Sequence, residues 1–155
     1  MKFIADAMLG RLAKWLRLLG FDVLYYPDIE DREVIKISRE QDRTILTRDT
    51  RLLQCRGVRD AVFIRSDQIS EQLLDMKDMI DPHDSNRAER CVVCNGALHA
   101  VSDRGEVQDL VPDYVYHNFD NFMRCSGCNK VYWEGSHYKK IRERVSEILR
   151  KSIEG

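Results

Sequence analysis

The sequence predicts an α/β unit, a parallel sheet flanked by helices, followed by a small four-cysteine ribbon and a C-terminal helix. Three observations carry this reading. Over residues 1–80 the apolar side chains alternate between strand spacing and helix spacing, which is the pattern of strand–helix repeats that build a parallel sheet. Two Cys-x2-Cys knuckles, Cys91/Cys94 and Cys125/Cys128, flank a 30-residue insert. Finally, Tyr138, Ile141, Val145, Ile148, Leu149 and Ile153 recur at helical spacing near the end of the chain.

Each element follows from local chemistry. Lys2–Asp6 is a short apolar run and reads as a first strand; Met8, Leu9, Leu12, Leu16 and Leu19 then fall on one helical face until Gly20 ends it. Asp22–Tyr26 is a second strand closed by Pro27, and Asp31–Gln41 a helix with Val34, Ile35 and Ile37 turned inward. Thr44–Thr47 and Ala61–Arg65 supply a third and a fourth strand. Asp67–Ile80 is a helix whose Ile69, Leu73, Met76 and Ile80 share a face. Residues 81–90 carry almost no apolar side chains and open on Asp-Pro, so they read as a linker. The expected organisation is therefore an α/β domain at 1–80, a linker at 81–90, and a ribbon with a basic C-terminal helix at 91–155.

Length and charge bound the function. A chain of 155 residues, 43% hydrophobic and 33% charged, holds one core and a small appendage. The formal net charge of −1 argues against an indiscriminate polyanion binder, yet it is unevenly spread. Residues 1–80 carry 14 basic and 14 acidic side chains, 81–120 carry 3 and 8, and 121–155 carry 8 and 4. A local basic face near the C-terminus thus stays open to nucleic acid. No window approaches the roughly 18 apolar residues of a membrane span, and Asp6 stands where a leader would need its apolar stretch. The cytoplasm is the expected compartment, with no membrane partner.

In such a compartment the two knuckles read as a tetrahedral zinc site of Cys91, Cys94, Cys125 and Cys128, each tight turn offering two thiolates. Two disulfides are disfavoured by compartment and a redox pair by the presence of two copies. Gly96 and Gly127 suit turns in which backbone amides approach sulfur. Cys55 is left over and reads as a small half-buried residue.

Chemistry in an open α/β sheet is expected beyond the carboxyl ends of its strands. Acids recur there: Asp6 after the first strand, Asp28 and Asp31 after the second, Asp49 after the third, and Asp67 after the fourth. Carboxylates gathered at one edge repel one another unless a divalent cation lies between them, and an all-oxygen set suits Mg²⁺ or Mn²⁺. Each acid also has a plainer role. Asp31 and Asp67 precede helices and suit caps or first turns; Asp49 suits a cap on a short turn at 51–54. Asp6 fits a cap less readily, because an acid directly after a buried strand is costly unless it is paired or ligated.

These residues also carry a resemblance. Phe3-Ile4-Ala5-Asp6-Ala7-Met8-Leu9-Gly10-Arg11-Leu12-Ala13-Lys14-Trp15-Leu16-Arg17-Leu18-Leu19-Gly20, Thr44-Ile45-Leu46-Thr47-Arg48-Asp49, and Cys125-x-x-Cys128-x-Lys130-Val131-Tyr132-Trp133-x-Gly135-Ser136-His137-Tyr138 resemble the PIN-like RNase domain first described at the C-terminus of the Mut-seven exonucleases. The resemblance spans essentially the whole chain, ribbon included. It implies a PIN-like fold and a metal-dependent ribonuclease, endonucleolytic on RNA, with catalytic acids at Asp6, Asp49 and Asp31. Asp28 and Glu33 compete with Asp31, and Asp67 is the one candidate for a fourth acid. It is compatible with a homo-oligomer.

Basic and aromatic side chains suggest how single-stranded RNA is held. Arg48 adjoins Asp49, and Arg11, Lys14 and Arg17 share one side of the first helix as a phosphate track or simply a solvated face. After the second knuckle, Tyr132 and Trp133 suit base stacking and Lys139 and Lys140 suit phosphates; Trp133 suits equally well a role in packing the ribbon against the first domain. Two further readings compete: a non-catalytic RNA-binding ribbon on a PIN-like scaffold, and a receiver-like phosphoacceptor at Asp49. The latter lacks the adjacent acids after the first strand and the late lysine that such domains use.

Overall fold

The structure, a computed structural model, describes residues 1–80, 90–133 and 138–154. The linker at 81–89, the 134–137 stretch and the side chain of Lys139 lie outside the described residues. The chain opens with β1 (Lys2–Ala5), α1 (Gly10–Leu18), β2 (Asp22–Tyr25), α2 (Asp31–Gln41), β3 (Thr44–Thr47), α3 (Thr50–Leu53), β4 (Ala61–Phe63) and α4 (Ile69–Asp75). The four strands pair in parallel in the order β2-β1-β3-β4. The predicted α/β class and its parallel sheet are what the structure has.

Strand alternation sorts the core into two layers. On one face Phe3, Ala5 and Leu46 pack with Leu12 and Leu16 of α1 and Leu73 of α4; on the other, Ile4 and Ile45 pack with Val34 of α2 and Leu52 of α3. A side chain such as Leu16, wholly buried, contributes about 1.5–3 kcal/mol relative to an exposed one. α1 begins late, at Gly10, because the loop after β1 first turns back on itself, Leu9 N–H donating to the Asp6 carbonyl at 3.1 Å. Gly10 has no alternative: a Cβ there would lie 2.7 Å from Tyr25 Oη, whose hydroxyl donates to the Ala7 carbonyl at 3.1 Å. α1 ends at Gly20, which takes φ +91, a left-handed conformation that glycine adopts without strain.

The ribbon follows as β5 (Leu98–Ala100), a 3₁₀ turn (Arg104–Val107), α5 (Asp113–Asn118), β6 (Phe122–Cys125) and β7 (Val131–Trp133). Its strands pair antiparallel in the order β5-β6-β7. The insert between the knuckles has its own small core of Val107, Val111, Val115, Phe122 and Val131. Arg104 pins it, donating to the carbonyls of Tyr116 and Phe119 while its guanidinium lies 4.7 Å from the Tyr116 ring centroid.

α6 (Tyr138–Glu154) closes the chain. Its Val145, Ile148 and Leu149 join the larger core beside α1 and α4. The helix thus packs on α1 and α4 of the first unit, while its Ile141 also touches the cluster of Leu18 and Cys91. A second joint lies at the other end of α1, where Leu18 packs with Cys91, Leu98, Cys125 and Tyr132.

Candidate functional site

The sheet order places β1 between β2 and β3, so the strand order switches direction between the parallel neighbours β1 and β3, and the crevice beyond their carboxyl ends is where open α/β sheets take ligands. Asp6 and Asp49 follow those two strands. Asp6 is only 6% exposed and its carboxylate is supplied with donors: Met8 N–H to Oδ1 at 2.9 Å, the Thr47 hydroxyl to Oδ2 at 2.6 Å, and Arg48 N–H to Oδ2 at 2.9 Å. The same Thr47 oxygen accepts from Asp49 N–H at 2.9 Å. One buried hydroxyl therefore ties the carboxylate of Asp6 to the backbone of Asp49. Nothing in the hydrophobic pattern marks Thr47; its signal is a polar residue at a wholly buried strand position between two acids of the edge.

Asp49 is half-buried and caps α3, accepting from Arg51 N–H at 2.9 Å and Arg51 Nε at 3.3 Å. The Arg51 amide, outweighing a smaller opposite effect of desolvation, and then the Arg51 side chain hold its carboxyl below the ordinary carboxylate value. Asp49 Oδ1 takes both of these bonds.

The other acids lie apart. Asp28, Asp31, Glu33 and Asp67 are exposed. Asp31 is the first residue of α2, behind the N-cap Glu30, so it occupies the first turn favoured by the helix dipole. The expected cap role of Asp67 is not what the structure has: Ser66 Oγ takes the Gln68 N–H at 3.0 Å, and Asp67 accepts only from the Gln68 side chain. Among the described residues the one set of three or more Cys, His, Asp or Glu ligands gathered tightly enough to hold a metal is the four cysteines; the structure does not bring a third acid to Asp6 and Asp49 in that way.

Arg48 is half-buried at the same edge, with Nε buried and without a hydrogen-bond acceptor. Arg11 and Lys14 are exposed on α1. Arg17, grouped with them by helical spacing, is 5% exposed and belongs elsewhere: Nε donates to the Val23 carbonyl at 2.9 Å and Nη1 to the Val92 carbonyl at 2.9 Å. Burial pulls its guanidinium below the ordinary arginine value, against the pull of Cys91, Cys94 and Asp22.

The cysteine centre is assembled. The four Sγ atoms lie within 4.8 Å of one another, with Cys91 and Cys128 3.6 Å apart and Cys94 and Cys125 3.3 Å apart. A tetrahedral zinc with bonds of about 2.3 Å places sulfurs about 3.8 Å apart, so the donor set fits a metal and is consistent with zinc. All five cysteines are unbridged, which removes the disulfide reading. Glycine is required where expected: a Cβ on Gly96 would meet Cys125 Sγ at 2.9 Å, and Gly127 N–H donates to Cys125 Sγ at 3.3 Å. Burial works against the Cys91 thiolate, but the Tyr132 hydroxyl at 3.1 Å and the amides of Cys94 and Val93 outweigh it and bring the thiol down to about 7.

Two expectations, one aromatic and one thiol, are corrected here. Tyr132 is buried with its hydroxyl on Cys91 Sγ and on Val92 N–H, so it serves the metal centre rather than a base, and burial raises its phenol. Trp133 is half-buried against the ribbon's own core, which leaves part of its ring open. Cys55 is exposed rather than half-buried.

With both centres described, the comparison with known families is direct. A profile of the Mut7-C RNAse domain matches residues 1–145. The chain belongs to the Mut7-C RNAse domain family. The Mut7-C span runs from Asp6 through both knuckles and into α6, so the cysteine centre is part of the family domain. Comparisons with curated proteins and with solved structures return no match.

Proposed function

We propose that this protein is a metal-dependent ribonuclease that hydrolyses phosphodiesters of single-stranded RNA endonucleolytically. The observation that carries the reading is the Thr47 bridge, which fixes Asp6 and Asp49 together beyond the carboxyl ends of neighbouring strands β1 and β3. Both acids offer hard oxygen donors, a set suited to Mg²⁺ or Mn²⁺. Asp31 is the proposed third acid, with Asp28 and Glu33 as its competitors and Asp67 as a fourth. Such an ion, when bound, supplies an activated water and stabilises charge on the phosphate.

The remaining work falls to the chain. The Met8, Thr47 and Arg48 donors orient the Asp6 carboxylate and satisfy its oxygens despite its burial. Arg48 brings a cation to the same edge and suits a phosphate flanking the scissile bond. Exposed Arg11 and Lys14 on α1, and Lys139 and Lys140 at the start of α6, hold the RNA backbone, while the open part of Trp133 stacks on a base. The ribbon thereby assists RNA binding.

The test is cleavage of an end-labelled single-stranded RNA by purified zinc-loaded protein with Mn²⁺, beside EDTA and a folded Asp6→Ala/Asp49→Ala variant. Metal-dependent cutting that leaves 5′-phosphate ends and disappears in the variant is the expected result. Equal cutting by both proteins would mean a contaminant. Salt-sensitive RNA binding without cutting would instead assign the chain as a non-catalytic RNA-binding module.

A further inference from the structure

β2 is an edge strand of the parallel sheet, and an open edge offers unpaired N–H and C=O groups to whatever strand arrives. Here the middle of that edge is closed by side chains. Val23 N–H donates to Asn95 Oδ1 at 3.0 Å, and the Val23 carbonyl accepts from Arg17 Nε at 2.9 Å. Together Asn95 and Arg17 occupy the two positions that a neighbouring strand would fill.

Both groups depend on the first knuckle. Asn95 directly follows Cys94 and takes φ +69, a left-handed conformation in which Asn is among the few tolerated residues. The turn is closed by Asn95 N–H to the Cys91 carbonyl and Cys91 N–H to the Gly96 carbonyl, each at 2.9 Å. Asn95 Nδ2 also donates to Asp22 Oδ1 at 2.7 Å, and Arg17 Nη1 reaches the Val92 carbonyl inside the knuckle. Arg90 adds a clasp, its N–H on the Arg17 carbonyl at 3.2 Å and its Nη1 on the Asn95 carbonyl at 3.0 Å.

The second knuckle supplies an internal comparison. Asn129 directly follows Cys128 with φ +65 and the same turn, its N–H on the Cys125 carbonyl at 3.0 Å, yet its side chain is exposed whereas Asn95 is buried. Two equivalent turns thus hold equivalent residues, and only the one against β2 is used on the sheet.

We propose that the four-cysteine metal centre is a latch on the open edge of the α/β sheet: gathering the thiolates fixes the first knuckle in the turn that sets Asn95 and Arg17 on Val23, so metal retention and edge closure are one coupled equilibrium. This role is separate from RNA cleavage. It makes the edge of the parallel sheet sensitive to chelation of an ion bound in the ribbon.

The test uses the zinc-loaded full chain and two substitutions that glycine tolerates at positive φ, Asn95→Gly and Asn129→Gly. Two quantities are read: amide exchange by NMR at Val23, referenced to Asp6 and Ile64, whose amides bond to β3 away from the β2 edge, and zinc retention against a competing chelator. Asn95→Gly is expected to speed exchange at Val23 alone, about tenfold for the one bond its N–H loses, and, because coupling is reciprocal, to weaken zinc retention by about tenfold or more, since the bond to Asp22 is lost as well. Asn129→Gly is expected to leave Val23 unmoved and retention closer to wild type. Unchanged Val23 exchange, equal acceleration at Asp6 and Ile64, unchanged zinc retention, or an equal loss of zinc in both variants would each overturn the latch.

Discussion

Two places in this molecule are built from metal-suited side chains, and they are built in opposite ways. The cysteine centre takes its four ligands from two short turns, Cys91 to Gly96 and Cys125 to Asn129, so each knuckle brings two sulfurs together locally and the centre is completed when Cys91 meets Cys128 and Cys94 meets Cys125. The acidic edge takes Asp6 and Asp49 from different strands and joins them through a third residue, Thr47. The first centre is local and compact; the second exists only after the sheet has its topology. A centre of the first kind is recognisable by spacing alone, whereas a centre of the second kind is recognisable only as separate acids at strand ends.

That contrast can be broken most severely at the compact centre. Cys125→Ser should abolish stoichiometric zinc binding and unfold the ribbon, since apparent structural-zinc binding energies run to about 10–16 kcal/mol; bound zinc and near-ultraviolet circular dichroism check it. The next largest effect belongs to the dispersed edge. Asp6→Asn should lower RNA cleavage by about a hundredfold or more, because it removes the charge and leaves one oxygen to serve the Met8 and Arg48 amides that now bond Oδ1 and Oδ2 separately. Asp49→Asn should behave similarly in cleavage but change the melting temperature little, Asn being as good a cap as Asp.

A smaller effect is expected at the joint between the regions. Asp22 accepts from Arg43 at 2.8 Å and from Asn95. Burial alone would raise its carboxyl, but these bonds and the charges of Arg43 and Arg90 outweigh it and hold it below the ordinary value of 3.8. A depressed carboxyl stabilises the fold fully above that ordinary value and loses its contribution as pH falls through the folded one. Asp22→Asn should therefore cost about 2 kcal/mol near neutrality, with the gap to wild type closing below pH 3.8, as melting curves across acid pH would show. The smallest effect is at Asp67: exposed and not a cap, its replacement by Ala should move stability by less than about 0.5 kcal/mol.

What the sequence made legible follows the same division. The helix Asp31–Gln41 and the strand Thr44–Thr47 have the bounds their patterns predict, because period and end signals are local there. The four cysteines are legible for the same reason. Arg17 was misread because helical spacing places it beside Arg11 and Lys14 while the surface it meets comes from residues 22–23 and 92–93. Tyr132 was read as a stacking platform because adjacency to Trp133 says nothing about a thiol contributed forty residues earlier. Nothing in the neighbourhood of Asn95 points to Val23, the partner of its side chain, which lies 72 residues away. The acids themselves were found as strand-end residues; the threonine that couples two of them was not.

The return of α6 to the first core has a consequence for how the chain is made. Val145, Ile148 and Leu149 complete a core begun by Phe3 and Leu12, so during synthesis that core stays unsealed until α6 has been made. The ribbon, whose knuckles and insert core lie wholly between residues 91 and 133, has no such wait. Translation therefore favours a transient species with a finished ribbon and an exposed apolar face on α1 and α4, and its closure by an α6 distant in sequence from α1 sets a slow final phase.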